Sequence, residues 1–406
     1  MGCSGDPPAI GTSDTRLRPR LRARYHAGAG DLFDVVSGRH TRGMYLGIHP
    51  EGVALTPSQA KLLDDEFFLA DPLGHFTGRI EMLLSEEVTK PTKETNPEFF
   101  AALGLKGVDA LPPSAASRRD VQVAVDALVL RHQCAEALER FLYALTAAEP
   151  KRGDAASTWL AIAESPIKLT DVAAATKQAF DADQELLLSL LYPTGTEITE
   201  DAAAAASTAL AWINHATHLL LYDELSINGA YNKLKHGIAV TTRDDVRVEL
   251  ITTPPDEDGS VPLSAFGEGR SIPIFDRPLL TYLARPRTEP KRPKQGLEAV
   301  SLRVDVPTVL AETWMMANTY AALFRVAALK HFGANLPAGV APPPVRVVGR
   351  TPERVLHNKP LGYRTPVTLP PDGTTAPRPP GVFFHDAFMP MHVDFDSQRP
   401  GRVVSD

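Results

Sequence analysis

Apolar residues recur at spacings of three and four from about Arg119 to Ala148. Val121, Val125, Leu128, His132, Ala135, Leu138, Leu142 and Leu145 share one helical face, which predicts the clearest amphipathic helix of the chain. A helix with a single apolar stripe must pack on others. Two more follow: Leu169 to Leu191, opened by Thr170-Asp171 and closed by Pro193, and Thr199 to about His236, capped by Thr199 with Glu200 and Asp201 at the positive end of its dipole. Upstream, residues 55–105 hold shorter runs. QAKLLDDEFFLA follows Thr56 or Ser58, then come RIEMLLSEEV and NPEFFAALGL, with breaks at Asp71-Pro72 and Lys90-Pro91.

After Gly237 the period changes. IAVTTRDDVRVELIT predicts two strands around a Thr242–Asp245 turn, and SIPIFDRP and EAVSLRVDVP predict further short strands between Pro- and Gly-rich connections. Helical spacing returns in TVLAETWMMANTYAALFRVAALKHF, which Gly333 is placed to stop. Beyond Pro337 prolines crowd and apolar runs are few, a composition that predicts an arm laid over another surface. The fold class expected is mainly α: a helical bundle with a small β-rich insertion before the last helix, and extended N- and C-terminal arms. Residues 1–54 form a basic, largely irregular arm, 55–115 short helices, 116–237 the bundle, 238–306 the β-rich insertion, 307–335 the last bundle helix, and 336–406 a Pro-rich extended tail.

Composition narrows the class. With 406 residues, 43% hydrophobic and 22% charged, the chain is globular and excludes collagen, coiled-coil fibre and disulfide miniprotein. The 42 basic and 49 acidic residues leave a net charge of −7, so contact with a polyanion has to come from a local patch. Two patches qualify. Arg16, Arg18, Arg20, Arg22 and Arg24 alternate with other residues, so in an extended arm all five would project one way toward phosphate or an acidic protein surface. The second is ARPRTEPKRPK, from Ala284 to Lys294. Neither patch contains aromatics on which bases could stack.

Cys3 and Cys134 lie far apart, which fits a reducing compartment, and MGCSGDPP lacks the apolar core of a signal peptide. The expected location is cytoplasmic. The most apolar stretch, Ala202 to Tyr222, is interrupted by Asn214, His215 and His218, so it reads as a buried helix with no membrane partner. His215 and His218 share a face but no matching pair completes a metal set, and they read as packed polar core. His385, Asp386, His392, Asp394 and Asp396 cluster near the C-terminus and could gather around a divalent ion, but they stand in a proline-rich tail, so neither metal nor cofactor is assigned. No phosphate-binding Gly-rich loop, nucleophile elbow or HExxH occurs.

The segment with most chemistry is SINGAYNKLKHG, Ser226 to Gly237. Asn232, Lys233, Lys235 and His236 crowd a helix C-terminus, where the dipole favours positive charge. Such a turn can bind a phosphodiester through Asn232, Lys233 and Lys235, with His236 as general acid or base; it is equally an ordinary basic C-cap.

An Asn-x-x-Lys-His-Gly turn late in a bundle helix, followed by a strand pair and another helix, resembles HEPN-like (higher eukaryotes and prokaryotes nucleotide-binding) bundle families. The likeness spans about Arg119 to Gly237 plus the last helix. It implies binding or metal-independent cleavage of RNA in a bacterial defence or toxin system, as a homo-oligomer whose site forms at a dimer interface. The catalytic signature of those families is an Arg, four to six residues, then His. His236 has Gly229, Ala230 and Tyr231 where that Arg would stand. Of five Arg-to-His pairs in the chain, only Arg325 and His331 fall in a strong helix. The resemblance therefore makes Arg325, His331 and His236 the candidate catalytic residues. The alternative is a non-enzymatic assembly protein that uses its Pro-rich tail and basic arm to contact partner subunits.

Overall fold

The computed structural model describes residues 50, 52–85, 94, 97–104, 116–183, 185–222, 224–237, 239–245, 248–251, 254, 261–262, 264, 270–285, 296–333, 336–340, 346–368, 378–390 and 403–404. The chain divides into units Met1–Tyr45 and Leu46–Asp406, and the described residues all belong to the second. The arginine arm, Arg16 to Arg24, lies outside them, as do most of the 284–294 basic stretch and His392, Asp394 and Asp396.

The unit is mainly helical, with a small antiparallel sheet. Its N-terminal helices are α1 (Pro57–Phe67), α2 (Pro72–Leu84) and α3 (Pro97–Leu103), followed by the long α4 (Ala116–Thr146). Thr56 and Gln59 form a capping box at α1, and Asp71 caps α2 ahead of Pro72. Next come α5 (Thr158–Ala163), α6 (Leu169–Ala182), α7 (Leu186–Leu191), α8 (Glu200–Leu221) and α9 (Ile227–Lys235).

Two predicted helices are each broken in two. The run from Leu169 becomes α6 and α7, because Asp183 is extended and turns its carboxylate onto the Glu185 N–H. The run from Thr199 becomes α8 and α9. At that break Ser226 sits at φ +41°, and the freed carbonyl of Leu225 accepts from the Tyr282 hydroxyl, which also reaches the Ser226 carbonyl, while the Glu224 carbonyl accepts from Arg364. Side chains from the distant sheet thus supply what a continued helix would have given.

The strands are β1 (Thr241–Arg243), β2 (Val248–Ile251), β3 (Val261–Pro262), β4 (Ser271–Phe275), β5 (Leu279–Ala284) and β6 (Glu298–Arg303). After helix α10 (Val306–Phe332) and helix α11 (Pro352–Leu356) come β7 (Pro360–Pro366), β8 (Gly381–Phe384), β9 (Phe388–Pro390) and β10 (Val403–Val404). The main sheet runs β1-β5-β6-β7-β8-β9, antiparallel throughout.

This corrects two expectations. The sheet is not an insertion confined to the region before the last helix, and residues 336–406 are not wholly an extended arm. That region contributes α11 and half of the six strands. Its strands escape the sequence pattern because they are short and edged by proline, at Pro360, Pro366 and Pro390, where a missing N–H is tolerated. Gly362 is required inside β7: a Cβ there would collide with the Ser301 carbonyl of β6.

Helix α10 is apolar on nearly every side, from Val309 to Ala328, and lies in the middle, against α4, α2 and α8. It runs in the same direction as α4, with Arg131 opposite Glu312 and Phe141 opposite Tyr320 and Phe324. One apolar core joins these helices to Leu280, Tyr282, Val300 and Leu302 of the sheet. Among the described residues no helix is long and apolar enough to cross a membrane.

Candidate functional site

Helix α9 buries Ile227 and Ala230 and stacks the Tyr231 ring on His132 of α4, with centroids 4.0 Å apart. That orientation turns Asn232, Lys233, Lys235 and His236 outward, and all four are exposed. The His236 N–H closes the last turn on the Asn232 carbonyl, and Gly237 leaves it at φ +137°, a conformation that favours glycine. Among the described residues Lys233, Lys235 and His236 have no ion-pair partner; Asn232 donates to Asn228.

Beneath the turn lies a buried polar chain. His132 is 2% exposed, and neither ring nitrogen has a hydrogen-bond partner among the described residues. Burial first, then the charges of Arg131 and Lys235, push its pKa down to about 3, so it is neutral at physiological pH. The adjacent Arg131 donates through one nitrogen to both carboxylate oxygens of Glu312, at 3.0 and 3.1 Å. His215 Nε2 lies 2.7 Å from the same carboxylate. Burial pushes the Glu312 carboxyl up, but the Arg131 charge and the His215 contact outweigh it and hold it below the usual carboxylate range. The ionised Glu312 assigns the His215 proton to Nε2. Among the described residues the His215 Nδ1 is buried without a hydrogen-bond partner.

Two more imidazoles lie near His215. His218 stacks on Tyr222 and its pKa is pushed down to about 4, by burial first and then by His215 and His385. His385, just after β8, sits with its ring 5.8 Å from that of His215 and 6.0 Å from that of His218. Burial, ahead of the His215 charge, lowers its pKa as well. One carboxylate thus orients one imidazole, and burial disfavours the charged form of the imidazoles alongside. Among the described residues no group of three His, Cys, Asp or Glu side chains has the spacing to hold a metal ion.

Arg325 and His331 stand elsewhere. His331 Nε2 is 2.7 Å from Asp65 of α1, which also pairs with Lys61, and its ring rests near that of Phe68. Burial raises the Asp65 pKa, but Lys61 and His331 together bring it below the ordinary value. Arg325, half-buried, lines the start of α2 beside Asp71 and has no ion pair among the described residues. Six residues of one helix set Arg325 and His331 roughly 120° apart. From Glu312 to His331 is roughly 28 Å along α10 at about 1.5 Å per residue. Helix α9 meets α4 at His132, next to Arg131 and Glu312, so His236 and His331 do not converge within one chain.

Arg131, Glu312 and Asp65 were not singled out from the sequence. The available signal was a charge in a largely apolar helical run: Glu312 inside TVLAETWMMA and Arg131 inside LVLRHQ. His215 is the packed core residue expected, and it is also the partner of Glu312. Comparison of the chain with family models, with curated proteins and with solved structures finds no match.

Proposed function

We propose that the chain handles RNA as a HEPN-like helical bundle of α2, α4, α8 and α10, and that it grips the sugar–phosphate backbone at the C-terminal turn of α9. The observation that carries this reading is the exposed set of Lys233, Lys235 and His236, which has no ion-pair partner among the described residues, on a protein whose net charge is −7. The exposed ammonium groups of Lys233 and Lys235 suit phosphate, and Asn232 adds a donor for a phosphate oxygen or a ribose hydroxyl. Tyr231 is occupied by His132, so backbone contact is favoured over base stacking. Binding is better supported than cleavage, because Arg325 and His331 diverge and His236 has Gly229, Ala230 and Tyr231 where the signature arginine would stand. Assembly through the C-terminal region loses its main support, since β7, β8 and β9 are hydrogen-bonded within their own chain.

The test is fluorescence anisotropy of a labelled single-stranded RNA across a salt series. Lys233→Ala/Lys235→Ala should weaken binding and lower the slope of log K against log salt by about 1.4, at ~0.7 per phosphate contact. An unchanged slope overturns the proposal. Incubating the same RNA without added metal separates binding from cleavage: cleavage that is lost in His236→Ala or His331→Ala would replace the binding reading with the catalytic one.

A further inference from the structure

Four carboxylates are buried among the described residues: Asp64, Glu139, Glu298 and Glu312. Three are well answered. Asp64 accepts from the Ser157 hydroxyl and two backbone N–H groups, Glu298 faces Arg378 and Arg364, and Glu312 holds Arg131 and His215. Glu139 is 2% exposed and among the described residues meets a single hydroxyl, that of Thr217. A buried carboxyl with so little support is costly unless something else meets it.

What adjoins it is a groove of about 570 Å³ between α6 and α8, walled by Phe180, Leu210 and Ile213, with Glu139 in its lining. That is the size of a small-molecule site, and apolar walls around one convergent polar group are its usual make-up. The charged groups around it are few. Lys177 and Asp181 of α6 neutralise each other at 2.6 Å on the rim. Asp183, after α6, adds a negative charge, and α8 contributes only the uncharged Asn214 and Thr217. The unbalanced charge is negative and the surface is apolar.

We propose that this groove binds a small apolar primary amine, with its ammonium on Glu139 and Thr217 and its hydrocarbon against Phe180, Leu210 and Ile213. Burial pushes the Glu139 carboxyl up to about 7 against the pull of the Thr217 hydrogen bond, and an ammonium would supply the missing counter-charge. The inference is independent of RNA binding.

Titration calorimetry of the full chain at pH 8 with n-hexylamine, n-hexanol and hexanoate tests it. Hexylamine should bind at least tenfold more tightly than hexanol, with hexanoate weakest. Glu139→Gln should erase the preference for the amine and leave hexanol affinity unchanged. Ala174→Trp, which fills the exposed mouth of the groove, should abolish binding of all three. Equal affinity for amine and hexanoate, an amine preference that survives Glu139→Gln, or no binding of hexylamine would each overturn the proposal.

Discussion

Glu312 and Glu139 are both buried carboxyls on the central helices, and they end up in opposite states. Glu312 is met by a guanidinium and an imidazole and stays ionised despite complete enclosure. Glu139 is met by one hydroxyl, and burial carries its pKa to about 7. Depth does not set the charge; the partners do. Glu312 is therefore a fixed part of the architecture, joining α4, α8 and α10 at one point. Glu139 is an unfilled demand for a donor on the wall of a groove.

The largest effect should come from breaking the Glu312 set. Arg131→Met leaves a buried carboxylate with only His215, and Glu312→Ala leaves a buried guanidinium with nothing. Each is expected to cost about 3–5 kcal/mol of unfolding free energy, measured by urea titration at pH 7. The double variant Arg131→Met/Glu312→Leu should recover most of that loss, since it buries no orphan charge. Single-variant losses under about 1 kcal/mol would mean that the pair does not organise this part of the fold.

How much of this was legible in the sequence follows from the range of the interactions. Helices α4, α8 and α10 were readable because their period and caps are local: Thr199 ahead of α8 and Gly333 after α10 act within a turn of their own positions. The basic α9 turn was readable for the same reason. The breaks before α7 and α9 were not, and the second depends on Tyr282 and Arg364 arriving from the sheet. β7 and β8 were missed because only pairing with β6 and with each other makes those proline-edged segments strands. Both charged contacts were hidden by distance: Arg131 and Glu312 are 181 positions apart, and at a separate place in the fold His331 and Asp65 are 266 apart. A charged residue in an apolar helix marks that a partner exists without saying which.

The next effect has the opposite sign. The folded Glu139 carboxyl holds its proton up to about pH 7, whereas an unfolded one releases it near 4.5. The folded state then binds more protons between those values, so this group's contribution to stability is fully present below about 4.5 and is lost as pH rises through 7. At ~1.4 kcal/mol per pH unit the loss is about 3 kcal/mol. Glu139→Gln, which keeps the shape without the charge, should thus be more stable than the parent by about 2–3 kcal/mol at pH 8 and nearly equal to it at pH 4. Equal stabilities at both pH values would place Glu139 in the same class as Glu312.

The smallest effect is the sharpest test of the contrast. Thr217 donates the one hydrogen bond that Glu139 receives among the described residues, so Thr217→Val should cost about 1 kcal/mol at pH 8, where that carboxyl is ionised, and less at pH 5. It should also move the Glu139 titration above 7, because nothing would then oppose desolvation. In the Glu139→Gln background the cost of Thr217→Val should shrink, which gives a coupling of about 0.5–1 kcal/mol in a double-mutant cycle. A cost that is the same at both pH values and in both backgrounds would assign the hydroxyl to its other near neighbour, the Ile213 carbonyl, and leave Glu139 with no partner in its own chain. Glu312 offers no parallel, since no one neighbour of that carboxylate is its sole support.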